Sequence, residues 1–212
     1  MLEAVIFDMD GTILNTLEDL KDSVNFVLSK HNFPQRTLDE IRMFVGNGVK
    51  PLFERALPKN TETKITEKCI EDFKEHYSQI TAGKTAPYKG VIEILKDLKK
   101  SNIKTAVVSN KFDTAVKSLS KKYFPDLIDI AVGQSDNIPQ KPSPEAVFKV
   151  INDLQIKSAI FVGDSDVDIK TAKNAGLKSI GVTWGFRDRN NLFGADFIVD
   201  TPDELIKTIR SL

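Results

Sequence analysis

Two aspartates, Asp8 and Asp10, stand one residue apart at the end of the apolar run Ala4–Phe7. Side chains two residues apart on an extended segment point to the same side, so both carboxylates can face one pocket. Gly11 follows the pair and allows the chain to turn sharply. Alone, this spacing is typical of a turn or a loose cation-binding loop, so its meaning depends on which residues join it.

Two further apolar runs also end in polar side chains. Ser109 and Asn110 follow the run TAVV, and Asp164 and Asp168 follow the run AIFVG. In open parallel sheets, ligands bind in the crevice beyond the carboxyl ends of the strands. We therefore expect both polar clusters to meet the first aspartate pair at one edge of a sheet.

Together these acids would concentrate negative charge, which is costly to bury without compensation. The carboxylates concerned are those of Asp8, Asp10, Asp164 and Asp168. Such an oxygen-rich site suits Mg²⁺, which proteins bind through a few carboxylates together with water and substrate phosphate. Lys141, in the segment QKPSPE, adds a cation that could hold an anionic substrate.

The residue types at this predicted edge suit phosphoryl chemistry. An aspartate can attack phosphorus and form an acyl phosphate, which water later hydrolyses. Phosphoryl transfer mainly needs alignment and charge neutralisation, which Mg²⁺, a lysine, a hydroxyl and backbone N–H groups provide. A second carboxylate can protonate the leaving oxygen and then activate the water.

The elements that must position these residues follow from the apolar pattern. Continuous apolar runs indicate strands of a parallel sheet that is covered on both faces. They are Ala4–Phe7, Thr105–Val108, Ala159–Val162, Ile180–Val182 and Phe197–Val199. Segments of helical period alternate with them, which predicts an α/β fold with a Rossmann-like, doubly wound parallel sheet.

Residues 16–86 break this alternation, since they show helical patterns and no convincing strand. One apolar stripe comprises Leu17, Leu20, Val24, Val27 and Leu28, and another comprises Ile65, Cys69, Ile70, Phe73, Tyr77 and Ile80. We therefore predict a core domain of residues 1–15 and 87–212, with an inserted helical cap domain of residues 16–86.

Composition narrows the classes of partner. The chain has 212 residues, and 30 basic residues balance 30 acidic ones, so nucleic acid and anionic membranes are not expected partners. No apolar stretch approaches the roughly 20 residues that span a bilayer. A single cysteine, Cys69, favours a reducing cytoplasm. We expect a monomer or homodimer that binds a small phosphorylated metabolite.

The four motifs DMDGT, SN, KPSPE and GDSDVD, in this order, resemble those of the haloacid dehalogenase superfamily. The early helical insertion is similar to that of members with an α-helical cap, and the resemblance covers essentially the whole chain. It implies that Asp8 is the nucleophile and Asp10 the general acid and base. Asp8, the backbone carbonyl of Asp10 and Asp164 would bind Mg²⁺, with Asp168 either supporting the metal site or binding directly. The implied phosphoryl-binding residues are Ser109, Asn110 and Lys141.

A narrower likeness concerns the substrate. The segments VGNGVKPLFERAL, SNK and GVTWGFRD resemble phosphoglycolate phosphatases, which makes 2-phosphoglycolate the first substrate to expect. The cap residues expected to contact substrate are Gly46, Asn47, Gly48 and Lys50. Three alternatives stay open: a pyrophosphatase, a β-phosphoglucomutase-like phosphosugar mutase, and a signalling domain that accepts a phosphoryl group as a switch.

Overall fold

A computed structural model describes residues 2–79 and 83–212, so Ile80 of the predicted apolar stripe lies outside the described residues. The strands are β1 (Ala4–Phe7), β2 (Leu14–Asn15), β3 (Ala86–Pro87), β4 (Lys104–Phe112), β5 (Ile130–Gln134), β6 (Ala159–Gly163), β7 (Lys178–Val182) and β8 (Phe197–Val199). The helices are α1 (Leu17–Lys30), α2 (Leu38–Phe44), α3 (Val49–Ala56), α4 (Thr63–Ser78), α5 (Val91–Lys100), α6 (Asp113–Tyr123), α7 (Glu145–Leu154), α8 (Asp166–Asn174) and α9 (Pro202–Arg210). A short 3₁₀ turn covers Arg189–Leu192.

Within the described residues, one sheet has six strands in the order β5-β4-β1-β6-β7-β8. Neighbouring strands of this sheet pair in parallel, and Ala4 of β1 lies opposite Lys104 of β4 and Ala159 of β6. From β1 at the centre, the chain adds β4 and β5 on one side of the sheet and then β6, β7 and β8 on the other. The direction in which strands are added therefore reverses at β1. Ligands of open α/β sheets bind at the carboxyl ends of strands beside such a reversal, so this order puts a crevice after β1.

The sheet is covered on both faces because successive side chains of its strands enter different clusters. Val5 and Phe7 of β1 pack in one cluster with apolar residues of α5 and α9. Ile6 packs in the other with Val147 of α7 and Ala172 of α8. This arrangement confirms the predicted α/β fold with a Rossmann-like parallel sheet.

Two features of the sheet differ from the sequence prediction. β4 continues beyond Val108 as far as Phe112, so Ser109 and Asn110 lie within the strand and not after it. The edge strand Ile130–Gln134 has no predicted counterpart. Its short segment IAVGQ is only partly buried, and a run interrupted by Gly133 gives a weak strand signal.

The chain divides into two compact units, Met1–Asn15 with Pro87–Leu212, and Thr16–Ala86. The first unit contains the six-stranded sheet. The short strands β2 and β3 pair with each other at the points where the chain passes from the first unit to the second and back. The second contains helices α1 to α4. None of the helices among the described residues combines the length and apolar character that crossing a bilayer requires.

The helical unit has its own apolar and polar packing. Phe73 of α4 contacts the ring of Phe53 edge-on and stacks against Tyr77. At the two ends of the unit, the buried carboxylate of Asp19 accepts hydrogen bonds from the backbone N–H of Lys84 and from the N–H and hydroxyl of Thr85. These bonds tie the returning segment to the first turn of α1.

Candidate functional site

Asp8 and Lys141 form a buried ion pair at the carboxyl end of β1. The backbone N–H of Asp8 donates to the carbonyl of Val162 at 2.9 Å, which continues the pairing with β6 and fixes where Asp8 emerges. The Lys141 ammonium donates to Oδ1 of Asp8 and to Oδ1 of Asp168, both at 2.7 Å. One lysine therefore links acids from two different motifs.

Three carboxylates gather around this lysine. Asp8, Asp164 and Asp168 are all buried, and one oxygen of each lies within 4.8 Å of the other two. Burial raises the pKa of Asp8 to about 7, with a further rise from Asp168 that Lys141 partly opposes. Burial, together with the negative charges of Asp168 and Asp8, raises the pKa of Asp164 well above its usual range. The carboxylates outnumber the ammonium, so the cluster suits a hard divalent cation that prefers oxygen ligands.

Asp164 is held by the loop that follows β7. The backbone N–H of Phe186 donates to its Oδ2 at 2.6 Å. A Cβ added to Gly185 would lie 2.3 Å from Cβ of Asp164 and 2.5 Å from the carbonyl oxygen of Gly11. The loop can approach this closely only because residue 185 lacks a side chain.

Asp168 has a separate partner on each of its oxygens. Oδ1 accepts from Lys141, while Oδ2 accepts from the hydroxyl of Ser165 at 2.6 Å and from its backbone N–H at 3.1 Å. Ser165 also accepts from the backbone N–H of Asp168, which completes a capping box at the start of α8. Asp168 thus connects the ammonium of Lys141 to the N-terminus of α8.

Ser109 and Asn110 occupy buried positions in β4. The side-chain oxygen of Asn110 accepts from the backbone N–H of Lys141 at 2.7 Å, and its amide donates to the Lys141 carbonyl at 3.1 Å. The hydroxyl of Ser109 accepts from the backbone N–H of Lys111 at 3.4 Å. The structure therefore links Asn110 to Lys141 and Lys141 to Asp8, while Ser109 precedes Asn110 in β4, the strand that pairs with β1.

Asp10 faces a different lysine from the one that contacts Asp8. The ammonium of Lys111 donates to both carboxylate oxygens of Asp10, each at 3.1 Å. Lys111 is not among the residues predicted from the sequence, although its place in SNK, two residues after Ser109 on one strand, is a usable signal. The pair joins residues 101 positions apart in the chain.

Trp184 is a second residue whose contact the sequence did not indicate. Its indole N–H donates to the backbone carbonyl of Thr12 at 3.1 Å. Together with the bond from Phe186 to Asp164, this contact fastens the loop after β7 to the turn that follows Asp10.

The predicted cap residues lie in the helical unit, where they surround the start of α3. Gly46 and Gly48 have φ angles of +107° and +85°, which favour glycine. Asn47 accepts a hydrogen bond from Arg55 at 3.2 Å, and Lys50 is exposed in the first turn of α3. Their contact with substrate stays a prediction, as does the role of residues 16–86 as a cap.

Comparison with known proteins identifies a matching family and several relatives. Residues 5–182 match the family model described as haloacid dehalogenase-like hydrolase. A phosphoglycolate phosphatase of Aquifex aeolicus is 32% identical over 213 residues, which cover 97% of this chain and 96% of that protein. A protein of the same name from Colwellia psychrerythraea is 29% identical and covers 98% of this chain and 97% of its own length.

Solved structures resemble the chain over almost its whole length. A crystal structure from Lactobacillus delbrueckii subsp. bulgaricus has a TM-score of 0.91 and 32% identity, and the match covers 98% of each chain. A predicted phosphoglycolate phosphatase from Haemophilus somnus has a TM-score of 0.89 and 28% identity, again with 98% of each chain covered.

Proposed function

The chain belongs to the haloacid dehalogenase-like hydrolase family, and from this premise we propose that it is a Mg²⁺-dependent phosphatase for a small phosphomonoester. The observation that carries the proposal is the buried contact between Asp8 and Lys141 inside a cluster of three carboxylates. Asp10, two residues beyond Asp8, supplies the further acid that a two-step hydrolysis needs.

The residues that would hold Mg²⁺ are Asp8, Asp164 and the backbone carbonyl of Asp10. Asp168 would support the site, since its two oxygens already bond to Lys141 and Ser165. When bound, Mg²⁺ would neutralise charge on the phosphoryl oxygens and favour the ionised form of the neighbouring carboxylates.

In the first step, a carboxylate oxygen of Asp8 attacks the phosphorus of the substrate. A new bond joins this oxygen to phosphorus while the bond from phosphorus to the leaving oxygen breaks. The leaving oxygen takes a proton from the carboxylic acid of Asp10. Lys141, the hydroxyl of Ser109 and the backbone N–H of Asn110 offset the charge on the phosphoryl group.

In the second step, water attacks the phosphorus of the aspartyl phosphate. The carboxylate of Asp10 takes a proton from this water, and the bond between phosphorus and the Asp8 oxygen breaks. Inorganic phosphate leaves, Asp8 is again a carboxylate, and Asp10 again carries a proton. The cycle therefore consumes only the ester and one water molecule.

We propose 2-phosphoglycolate as the first substrate to test. Two relatives that match 97% and 98% of the chain, at 32% and 29% identity, are named phosphoglycolate phosphatases. Pyrophosphate and sugar phosphates remain the competing substrates, because core motifs do not fix the leaving group.

The decisive experiment is a phosphate-release screen with and without Mg²⁺. It compares kcat/KM for 2-phosphoglycolate, pyrophosphate, sugar phosphates and nucleotides. We expect Mg²⁺-dependent release, highest with 2-phosphoglycolate, and no multiple turnover in Asp8→Asn. Isomerised sugar phosphate without free phosphate would indicate a mutase, and a long-lived phosphorylated protein without turnover would indicate a signalling domain.

Asp10→Asn separates the acid and base role from metal binding. We expect it to cripple turnover while leaving Mg²⁺ affinity largely intact, because the backbone carbonyl remains. Loss of Mg²⁺ binding in this variant would contradict the role proposed for the Asp10 side chain.

A further inference from the structure

We propose that Lys111 selects substrates whose leaving group carries its own negative charge, by exchanging its ion pair from Asp10 to that charge. This inference rests on the phosphatase function proposed above and extends it to the class of leaving group. A short carboxylate-bearing alcohol is the leaving group that fits best.

The first observation is the burial of the Lys111 ammonium. Lys111 and Lys141 are the buried lysines of the residues that the structure describes, and the side chain of Lys111 is 4% exposed. A buried ammonium is unfavourable unless an anion compensates it. Lys141 donates to Asp8 and Asp168, and Lys111 donates to both oxygens of Asp10.

The second observation is that this pairing competes with the chemistry assigned to Asp10. Both of its oxygens lie 3.1 Å from the Lys111 ammonium. As the acid of the first step, Asp10 carries a proton, so its neutral carboxyl no longer offers Lys111 a full negative charge. An anionic leaving group would restore a negative charge beside the buried ammonium, whereas a neutral leaving group would not.

The third observation is position along β4. Lys111 lies two residues beyond Ser109, a residue proposed to bind the phosphoryl group, and the strand continues to Phe112. Two residues of a regular strand span about 6–7 Å, which is an upper limit here because the pairing of β4 with β5 is irregular between Val108 and Phe112. A leaving group of two carbon atoms that ends in a carboxylate matches this scale, so one substrate could engage both positions.

The test uses two substrates that differ in this charge alone. They are 2-phosphoglycolate and 2-hydroxyethyl phosphate, which replaces the carboxylate with a neutral hydroxymethyl group. We expect the wild-type protein to prefer 2-phosphoglycolate by roughly 10–100-fold in kcat/KM. Lys111→Met should remove most of this preference, mainly by raising KM for 2-phosphoglycolate, while turnover of the neutral ester is retained or increased.

Two further variants control the result. Lys111→Arg keeps a cation and should keep the preference for the anionic substrate. Lys117→Met removes an exposed lysine of α6, paired with Asp113, and should leave the preference unchanged. If Lys111→Met does not fold, Lys111→Gln replaces it, and circular dichroism confirms that each variant is folded.

Different outcomes overturn different claims. An equal fall in kcat for both substrates would mean that Lys111 only positions Asp10, and the selectivity proposal would be wrong. Equal kcat/KM for both substrates in the wild-type protein would also overturn it, while the phosphatase function would stand. Absence of Mg²⁺-dependent turnover with either substrate, and with the wider screen, would overturn the phosphatase proposal and the selectivity proposal with it.

Discussion

The side-chain amide of Asn110 bonds to both the N–H and the carbonyl of Lys141, at 2.7 Å and 3.1 Å. The two residues are 31 positions apart and belong to different motifs, yet they form one unit. The ammonium of Lys141 reaches Asp8 only while its backbone is held in this place. We therefore assign Asn110 the positioning of Lys141 as well as its predicted contribution to phosphoryl binding.

Asn110→Ala tests this relationship. It leaves the buried N–H and carbonyl of Lys141 without their side-chain partner, so we expect a loss of about 1–3 kcal/mol in the free energy of unfolding. Turnover should fall roughly 10–100-fold because Lys141 loses its alignment with Asp8. Urea unfolding and phosphate release measure the two effects.

Asn174→Ala is the matched control, since the exposed amide of Asn174 donates to the carbonyl of Pro142 in the same loop. It should change stability by less than about 0.5 kcal/mol. Equal effects of the two substitutions would contradict a special role for Asn110.

Gly185→Ala should disturb the metal site through sterics alone. The added Cβ would lie 2.3 Å from Cβ of Asp164 and 2.4 Å from its Oδ2, so Asp164 or the loop must move. We expect a loss of about 1–3 kcal/mol in stability. Mg²⁺ affinity, measured by calorimetry, should fall roughly 10–100-fold because a supporting contact of a ligand is displaced.

Gly176→Ala provides the comparison. Gly176 has a φ of +71°, and an added Cβ would meet nothing within 4 Å. This variant should lose about 1 kcal/mol through backbone strain and keep its Mg²⁺ affinity. Unchanged Mg²⁺ binding in Gly185→Ala would show that Asp164 does not depend on the close approach of this loop.

Mg²⁺ should stabilise the protein more at high pH than at low pH. Burial raises the pKa of Asp8 to about 7 and raises the pKa of Asp164 as well, so both groups bind protons more tightly in the folded state. The contribution of Asp8 to stability is complete below about pH 4 and is lost as the pH rises through about 7, and the contribution of Asp164 is likewise lost as the pH rises. If Mg²⁺ binds these carboxylates as proposed, it would replace the lost protons, and saturation at 100 times Kd would add about 2.7 kcal/mol of stability.

Urea unfolding with EDTA or Mg²⁺, at about pH 5.5 and about pH 8.5, measures this linkage. Asp164→Asn is the informative variant, because it removes one buried negative charge. Without metal at the higher pH it should be more stable than the wild-type protein, and it should gain less from Mg²⁺. A stabilisation by Mg²⁺ that does not change with pH would contradict the prediction.

Asp72 should stabilise the helical unit only above the pH range where it is protonated. Its side chain is 3% exposed and lies 2.8 Å from Nε2 of His31, with Lys30 at 3.0 Å and Lys68 at 3.2 Å. The hydrogen bond with His31, aided by both lysines, holds the pKa of Asp72 well below its usual range. A lowered pKa gives stability that is present above about pH 4 and lost as the pH falls further.

We therefore expect Asp72→Asn to lower the free energy of unfolding at pH 7 and to differ less from the wild-type protein below about pH 4. Glu71→Gln, at an exposed position of the same helix, should have little effect at either pH. A deficit in Asp72→Asn that stays constant with pH would indicate lost packing instead of a lost charge interaction.

The sequence determined much of the fold because the relevant signals are local. Continuous apolar runs mark β1, β4, β6, β7 and β8, since each is buried by helices on both faces of the sheet. Helical stripes mark α1 and α4 of the helical unit. The acids of the site could be predicted because strand ends in such a sheet converge, whereas Lys141 was predicted from its segment QKPSPE.

Only the tertiary structure decided how these residues pair. The bonds from Lys111 to Asp10, from Asn110 to Lys141 and from Phe186 to Asp164 join positions 101, 31 and 22 residues apart. Such pairs depend on the order of the strands, on how far β4 continues, and on the loop after β7, which lies close to Asp164 because residue 185 is glycine. These are properties of the assembled sheet, and no local pattern of residues contains them. The sequence therefore predicts which groups do the chemistry, while the packing of distant segments decides which lysine each acid meets.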